Sequence, residues 1–192
     1  MIKQIFIING SGGVGKDTFT EVVKSQASIK NIKVGNYSSV SKVKEVAKII
    51  GWNGSKSERD RKFLSDLKLL TTEYNDMALN DMKEFANNFM NIANDGATKV
   101  LFLHIREPKE IKRASREFAK IGYDVKTILV RRDSVKHITS NIADKDVYNY
   151  HYDVIINNNG DFATLQEIAN DFIDDFISNG LKKAYNSQSY KH

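Results

Sequence analysis

Cysteine is absent from the 192 residues and proline occurs once. Without thiols there is no disulfide framework and no thiolate metal site, which fits a cytoplasmic location. No proline- and glycine-rich linker, internal repeat or low-complexity stretch divides the chain, and its length suits one ordinary domain with a sizeable core. Long apolar runs are missing too. None approaches the roughly 20 residues that span a bilayer, so no membrane partner is expected. The apolar core of the opening "MIKQIFIING" is too brief for a signal peptide and runs straight into glycines, so it reads as a first strand. Also missing are aromatics interleaved with basic residues on short strands, the mark of many RNA-binding surfaces. The formal charge of +5 and the pI near 9.2 suit small polyphosphates as well as nucleic acid. Part of that charge sits in Lys182, Lys183 and Lys191. Nucleic acid is therefore the minority reading.

Strand-like and helix-like patterns alternate, which predicts an α/β domain with a mostly parallel sheet. Strands are expected at 2–8, 32–37, 99–105, 125–130 and 153–156. Three of them, 2–8, 99–105 and 153–156, are continuous apolar runs, as strands buried on both faces are. The more polar 32–37 belongs nearer an edge. Helices are expected at 16–29, 40–50, 110–121 and 162–178, the last capped by Asp161 and followed by Gly180. On 40–50, Val43, Val46, Ala47 and Ile50 share a face. From 59 to 92, Phe63, Leu67, Leu70, Tyr74, Met77, Met82, Phe85, Phe89 and Ile92 recur every three to five residues. That predicts two helices broken near 71–75. The expected organisation is one domain over about 1–180, with a helical insertion at about 51–95 and a flexible tail at 181–192.

"NGSGGVGKDTF" (9–19) follows the first apolar run and opens the first helix. Gly10, Gly15 and Lys16 complete the pattern G-x-x-x-x-G-K, with Ser11, Gly12, Gly13 and Val14 between. Glycines let the backbone approach an anion closely, successive N–H groups form a nest around its oxygens, and the helix start adds its positive dipole end. Lys16 supplies a full charge to the outer phosphates. Strand, loop and helix in that order predict a nucleotide site. Asp17 stands where Ser or Thr normally offers a hydroxyl to magnesium, and Thr18 follows one step later. Asp17 is thus an acid favoured in a helix's first turn, and Thr18 brings the hydroxyl to phosphate. Any Mg2+ near Asp17 and Thr18 is then held mostly by phosphates and water.

G-K-x-T resembles the loop of many nucleoside monophosphate kinases. "SGGVGKDT" is similar in particular to that of the phage deoxynucleoside monophosphate kinases and the animal-type phosphomevalonate kinases. The resemblance implies a P-loop three-layer α/β/α fold with a five-stranded, mostly parallel sheet, a helical acceptor-side insertion, and ATP with Mg2+ as cofactors. "YSSVSKVKEVAKIIGW" is similar to the acceptor-side segment, which implies Ser38, Ser39 and Lys42 in the acceptor pocket. Arg59, with Arg61, Lys62 and Asp66, lies where such kinases put acceptor-binding helices; three close cations are either a solvated face or anion-collecting residues. "VLFLHIREPKEI" corresponds to a strand ending in Asp-x-Arg. Arg106 matches the arginine, whose forked donors suit a phosphate, but His104 stands in place of the acid. Arg131 and Arg132 resemble the start of a lid, expected over about 131–150. Asn157 and Asn158 correspond to the loop that edges the adenine.

The reading is an ATP-dependent kinase acting on a small phosphorylated acceptor, favouring a (deoxy)nucleoside monophosphate, with Lys16, Arg106, Arg131 and Arg132 as catalytic residues. Two alternatives stay open: another small metabolite as acceptor, and a nucleotide-binding regulator, for which His104 is the argument. The sequence leaves the oligomeric state open.

Overall fold

The computed structural model describes residues 3–92, 97–135 and 146–178. Residues 136–145 of the expected lid, 93–96 of the insertion, Gly180 and the tail lie outside them. The elements run β1 (Lys3–Asn9), α1 (Lys16–Ile29), β2 (Ile32–Ser38), α2 (Ser41–Ile49), α3 (Glu58–Asn75), α4 (Met77–Asn91), β3 (Thr98–His104), α5 (Pro108–Lys120), β4 (Asp124–Arg131), β5 (Val154–Asn157) and α6 (Phe162–Ser178). The chain divides into two compact units, one of residues up to Asn36 and from Asn94 onward, the other Tyr37–Ala93.

The strands form one sheet in the order β2-β3-β1-β4-β5. Central β1 runs parallel to β3, with Ile5 opposite Leu101, and parallel to β4, with Asn9 opposite Leu129. β4 pairs parallel with β5. Side chains alternate across these strands, so Phe6, Ile8, Phe102, Ile128 and Val130 share one face and pack with Phe19, Val23, Leu165 and Phe172 of α1 and α6. Four phenylalanines knit that face together: the Phe6 ring centroid lies 5.6 Å from Phe102 and 5.0 Å from Phe172, and Phe19 lies 5.6 Å from Phe172. Each such ring contributes about 1.5–3 kcal/mol by burial, so the two ends of the β1–α1 loop rest on a fully buried aromatic cluster. The opposite face carries Ile5, Ile7, Leu101 and Leu103, all buried, and α5 buries Ile111, Ala114 and Phe118.

β2 holds one sheet edge, as its polarity predicts. β5 holds the other, which corrects the expectation of a strand buried on both faces. Only Val154 and Ile156 are fully buried there; Ile155 and Asn157 are half-buried. A four-residue apolar run reads alike for a central and an edge strand, because chain order does not state sheet order.

Within Tyr37–Ala93, α3 packs on α2 and α4. The two long helices break at Asp76, one residue beyond the expected stretch. Asp76 takes φ 59° and caps both helices, a left-handed conformation that aspartate tolerates. A shared apolar period does not here mean shared burial. Val43 and Ala47 are buried, but Ile50, Leu70 and Tyr74 are 62%, 64% and 85% exposed, and α3 has no fully buried residue.

Asp161 caps α6 as expected: its Oδ1 accepts from Thr164 N at 2.9 Å and from Thr164 Oγ1 at 2.9 Å. The backbone bond from Thr164 holds the Asp161 carboxyl below its ordinary range. A depressed carboxyl stabilises the fold above its unfolded pKa and loses that contribution as pH falls through the folded value. Asp161→Ala is therefore expected to lower the Tm at neutral pH. The gap to wild type closes below the ordinary aspartate range, which thermal melts at pH 7 and pH 3 check.

Candidate functional site

β1 ends at the centre of the sheet, where β3 and β4 leave on opposite sides. This is the crevice at which open α/β sheets take ligands. The loop there is shaped by contacts that leave no room for a side chain. Gly10 has φ 148°, and a Cβ on it would meet Val130 O at 2.3 Å. Gly15 has φ 91° and stands directly before α1, with Asn158 Nδ2 at 2.3 Å from where its Cβ would lie. Asn158 is buried and donates to Val14 O at 2.9 Å, so the loop's far limb is tied to the residue after β5. Lys16 folds over the loop, its Nζ donating to Gly10 O at 2.9 Å and Ser11 O at 3.4 Å. Ser11 Oγ is buried without a hydrogen-bond partner among the described residues. Gly12 is half-buried and Gly13 and Thr18 are exposed. A cradle fitted to backbone, a cation folded over it and an orphaned hydroxyl beneath are what a polyphosphate site requires.

The two departures from the family pattern meet here. His104 Nδ1 lies 3.6 Å from Asp17 Oδ1, the imidazole mostly buried and the carboxylate 91% exposed. On the other side of the ring, Nε2 lies 3.5 Å from Asn36 Oδ1, and Asn36 Nδ2 donates to Glu21 Oε1 at 3.2 Å. Burial pushes the imidazole below its ordinary pKa; Asp17 draws it upward, and Lys16 and Arg106 press it down again. A ring so placed is neutral at pH 7 and cannot stand in for a hard anionic oxygen.

No group of three or more His, Asp or Glu side chains able to hold a metal occurs among the described residues. The donor set still fits Mg2+, which keeps several waters and takes one or two carboxylates together with substrate phosphates. Asp17 and Thr18, both exposed at the start of α1, are the residues that would approach it.

Around this centre the remaining expected residues separate. Arg131, at the end of β4, donates through Nε to Asn157 Oδ1, and Arg132 Nε to Ser134 Oγ at 3.3 Å. Asn159 binds Asp133 twice, accepting from its N at 2.8 Å and donating to its Oδ2 at 2.7 Å. The asparagines after β5 thus grip the arginine segment and the phosphate loop with their side chains. Ser38, Ser39, Lys42 and Arg59 belong to the Tyr37–Ala93 unit. There Ser38 Oγ accepts from Val40 N at 3.4 Å and Ser39 is buried. Lys42 bonds Glu45 Oε2 at 2.9 Å, and that bond holds its pKa above the ordinary value. Arg59 lies in the exposed first turn of α3.

Sequence reasoning missed two features. Asn9 and Tyr152 are buried and bonded to one another beneath the loop, though nothing in their spacing signals it. A groove of about 250 Å³ also opens beside Thr18, lined by Glu21, Val22, Ser25, Gln26, Phe162 and Gln166. Phe162 is 57% exposed at the first position of α6; an apolar ring left in solvent directly after the Asp161 cap was the available signal.

No family model matches this chain, and no curated protein matches its sequence. Among solved structures, the chain is similar to the APS kinase CysC of Mycobacterium tuberculosis in complex with AMPPNP and APS, at 13% identity and a TM-score of 0.49, over 90% of this chain and 96% of that one. A cysteine-to-alanine variant of the same kinase gives 15% and 0.47 over the same shares. An unliganded sugar kinase from a Janibacter species gives 9% and 0.47 over 90% and 95%. These likenesses are distant.

Proposed function

We propose that this chain is an ATP-dependent phosphotransferase acting on a small phosphorylated acceptor, with a (deoxy)nucleoside monophosphate as the favoured class. The observation that carries the reading is the loop at the end of β1: Gly10 packed against the Val130 carbonyl and Gly15 against Asn158, Lys16 over the carbonyls of Gly10 and Ser11, and the start of α1 behind them. Phosphoryl transfer asks a protein mainly for positioning and charge neutralisation, and this loop offers both. Its amides and Lys16 hold the donor's outer phosphates. Mg2+, when bound, neutralises charge on the β- and γ-phosphates, with Asp17 and Thr18 beside it. Arg106, two residues past β3, offers a fork to the acceptor's phosphate. Arg131 and Arg132 neutralise the moving group and help exclude water. An acceptor that is already a phosphate needs little general-base help, which makes a neutral His104 tolerable.

The groove beside Thr18 supports a nucleotide as donor, since its apolar lining by Val22 and Phe162 adjoins the helix that starts at the loop. Phe162→Ala is expected to weaken ADP binding about tenfold, the equivalent of 1.4 kcal/mol. The Tm should hardly move, because the ring is already more than half exposed. Titration calorimetry and a thermal melt check both halves.

ADP release from ATP, assayed with a panel of nucleoside monophosphates and other metabolite phosphates, tests the reading as a whole. Turnover raised above the ATP-only background by one acceptor class is the expected result. Binding of ATP with no turnover for any acceptor would favour a nucleotide-binding regulator, the reading that His104 supports.

A further inference from the structure

Asn9 closes β1 immediately before the loop and is fully buried. Its amide is engaged at both ends. Oδ1 accepts from Gly10 N at 2.8 Å; Nδ2 donates to Arg106 O at 2.9 Å and to Tyr152 Oη at 2.7 Å. Tyr152 Oη donates its one proton to Val147 O at 2.7 Å, so toward Asn9 it can only accept. These partners admit a single amide orientation. Turned over, Asn9 would set its oxygen against a carbonyl and a hydroxyl whose proton is committed elsewhere, and its NH2 against the Gly10 N–H. Each mispaired buried group costs about 1–3 kcal/mol. Burial pushes the Tyr152 phenol up to about 12, so it stays protonated at any ordinary pH.

One side chain thus joins the first amide of the phosphate loop, the backbone of Arg106 and the Val147–Tyr152 segment. Gly10 is also pressed against Val130 O, so the loop's starting point is held from β4 as well. The stem of Arg106 begins where its carbonyl meets Nδ2. We propose that Asn9, locked by Tyr152, is a positioning residue that sets the distance between the donor-phosphate loop and the acceptor-binding arginine. The inference rests on the phosphotransferase reading. Its physical basis is that in-line transfer is steep in distance: a misplacement of about 1 Å costs on the order of 10²-fold in rate. A buried asparagine with only a structural duty would affect stability alone.

The test compares Asn9→Leu, which removes all three bonds and keeps the branching of the side chain, with Tyr152→Phe, which removes the hydroxyl and with it the bonds to Asn9 and to Val147 O. Each is measured for Tm, for ADP affinity by calorimetry, and for kcat and acceptor KM. Asn9→Leu is expected to lower kcat about 10²-fold and to weaken ADP binding as well, because Gly10 N loses its anchor. Tyr152→Phe folds, binds ADP within about twofold of wild type and still loses about fivefold in kcat over acceptor KM, the worth of one hydrogen bond. If Tyr152→Phe keeps wild-type kcat and acceptor KM and only its Tm falls, the positioning role is overturned, even should Asn9→Leu fail to fold. A wild-type enzyme with no acceptor-dependent turnover overturns the phosphotransferase reading instead, and this inference with it.

Discussion

Lys16→Ala is expected to lower acceptor-dependent ADP production by about 10²–10³-fold, the usual cost of removing a preorganised charge from a transferring group. ATP binding should weaken in parallel. The fold should survive, since Lys16 is half-buried and donates to carbonyls of its own loop, Gly10 O at 2.9 Å and Ser11 O at 3.4 Å. Those two bonds hold the ammonium against the nest before any phosphate arrives, so little conformational entropy remains to be lost on binding. Lys16→Arg is not expected to rescue. A planar fork does not fit a position where a compact ammonium sits over two carbonyls, and its charge is spread over three nitrogens. Steady-state coupled assays and calorimetry with ATP check both variants. Wild-type turnover in Lys16→Ala would remove the loop from the chemistry altogether.

Gly10→Ala is expected to be the most damaging of the alanine substitutions at the loop glycines Gly10, Gly13 and Gly15. The added carbon would meet Val130 O at 2.3 Å and Val14 Cγ2 at 2.9 Å, on a residue at φ 148°. Val130 is in β4, locked to β1 by the ladder that sets Asn9 opposite Leu129, so the obstructing oxygen is backbone and cannot swing aside. Strain of this kind costs about 3 kcal/mol, or roughly 6–12 °C in Tm for a chain of this size. ADP binding should be lost as well. The other loop glycines give a graded comparison. At Gly15 the obstruction is the Asn158 side chain at 2.3 Å, which can yield only by releasing Val14 O. At Gly13 the nearest atom is Val135 Cγ1 at 3.9 Å, leaving only the cost of φ 84°, about 1–2 kcal/mol. Melting temperatures in the order Gly13→Ala, Gly15→Ala, Gly10→Ala, falling, are the expected outcome. A Gly10→Ala protein as stable as Gly13→Ala would mean that the loop does not pack as described.

Much of this is legible in the sequence alone. Apolar runs and glycine placed β1, the loop and α1, because a buried strand and an amphipathic helix leave strong local patterns and a phosphate nest has a fixed spacing. Residues 16–29 and 162–178 were expected as helices and are α1 and α6 to the residue. The break between α3 and α4 was misplaced by one residue, since an aspartate entering the left-handed region leaves no mark in an apolar period. The exposure of Leu70 and Tyr74 has a related reason. Periodicity says which residues share a helix face but not whether another element covers it.

By itself, then, the sequence determined the α/β alternation, the order of elements and a loop whose composition suits phosphate, all of which follow from contacts a few residues apart. The tertiary structure alone decided the rest. It put β1 in the middle and β5 at an edge, brought Asp17 within 3.6 Å of His104, and set Asn158 under Val14. It also joined Gly10, Arg106 and Tyr152 through Asn9. Asp17 and His104 stand 87 positions apart and Val14 and Asn158 144, and Asn9 reaches 97 positions to Arg106 and 143 to Tyr152. No local pattern reaches that far, because such pairs are chosen by how the sheet closes and not by the residues between them.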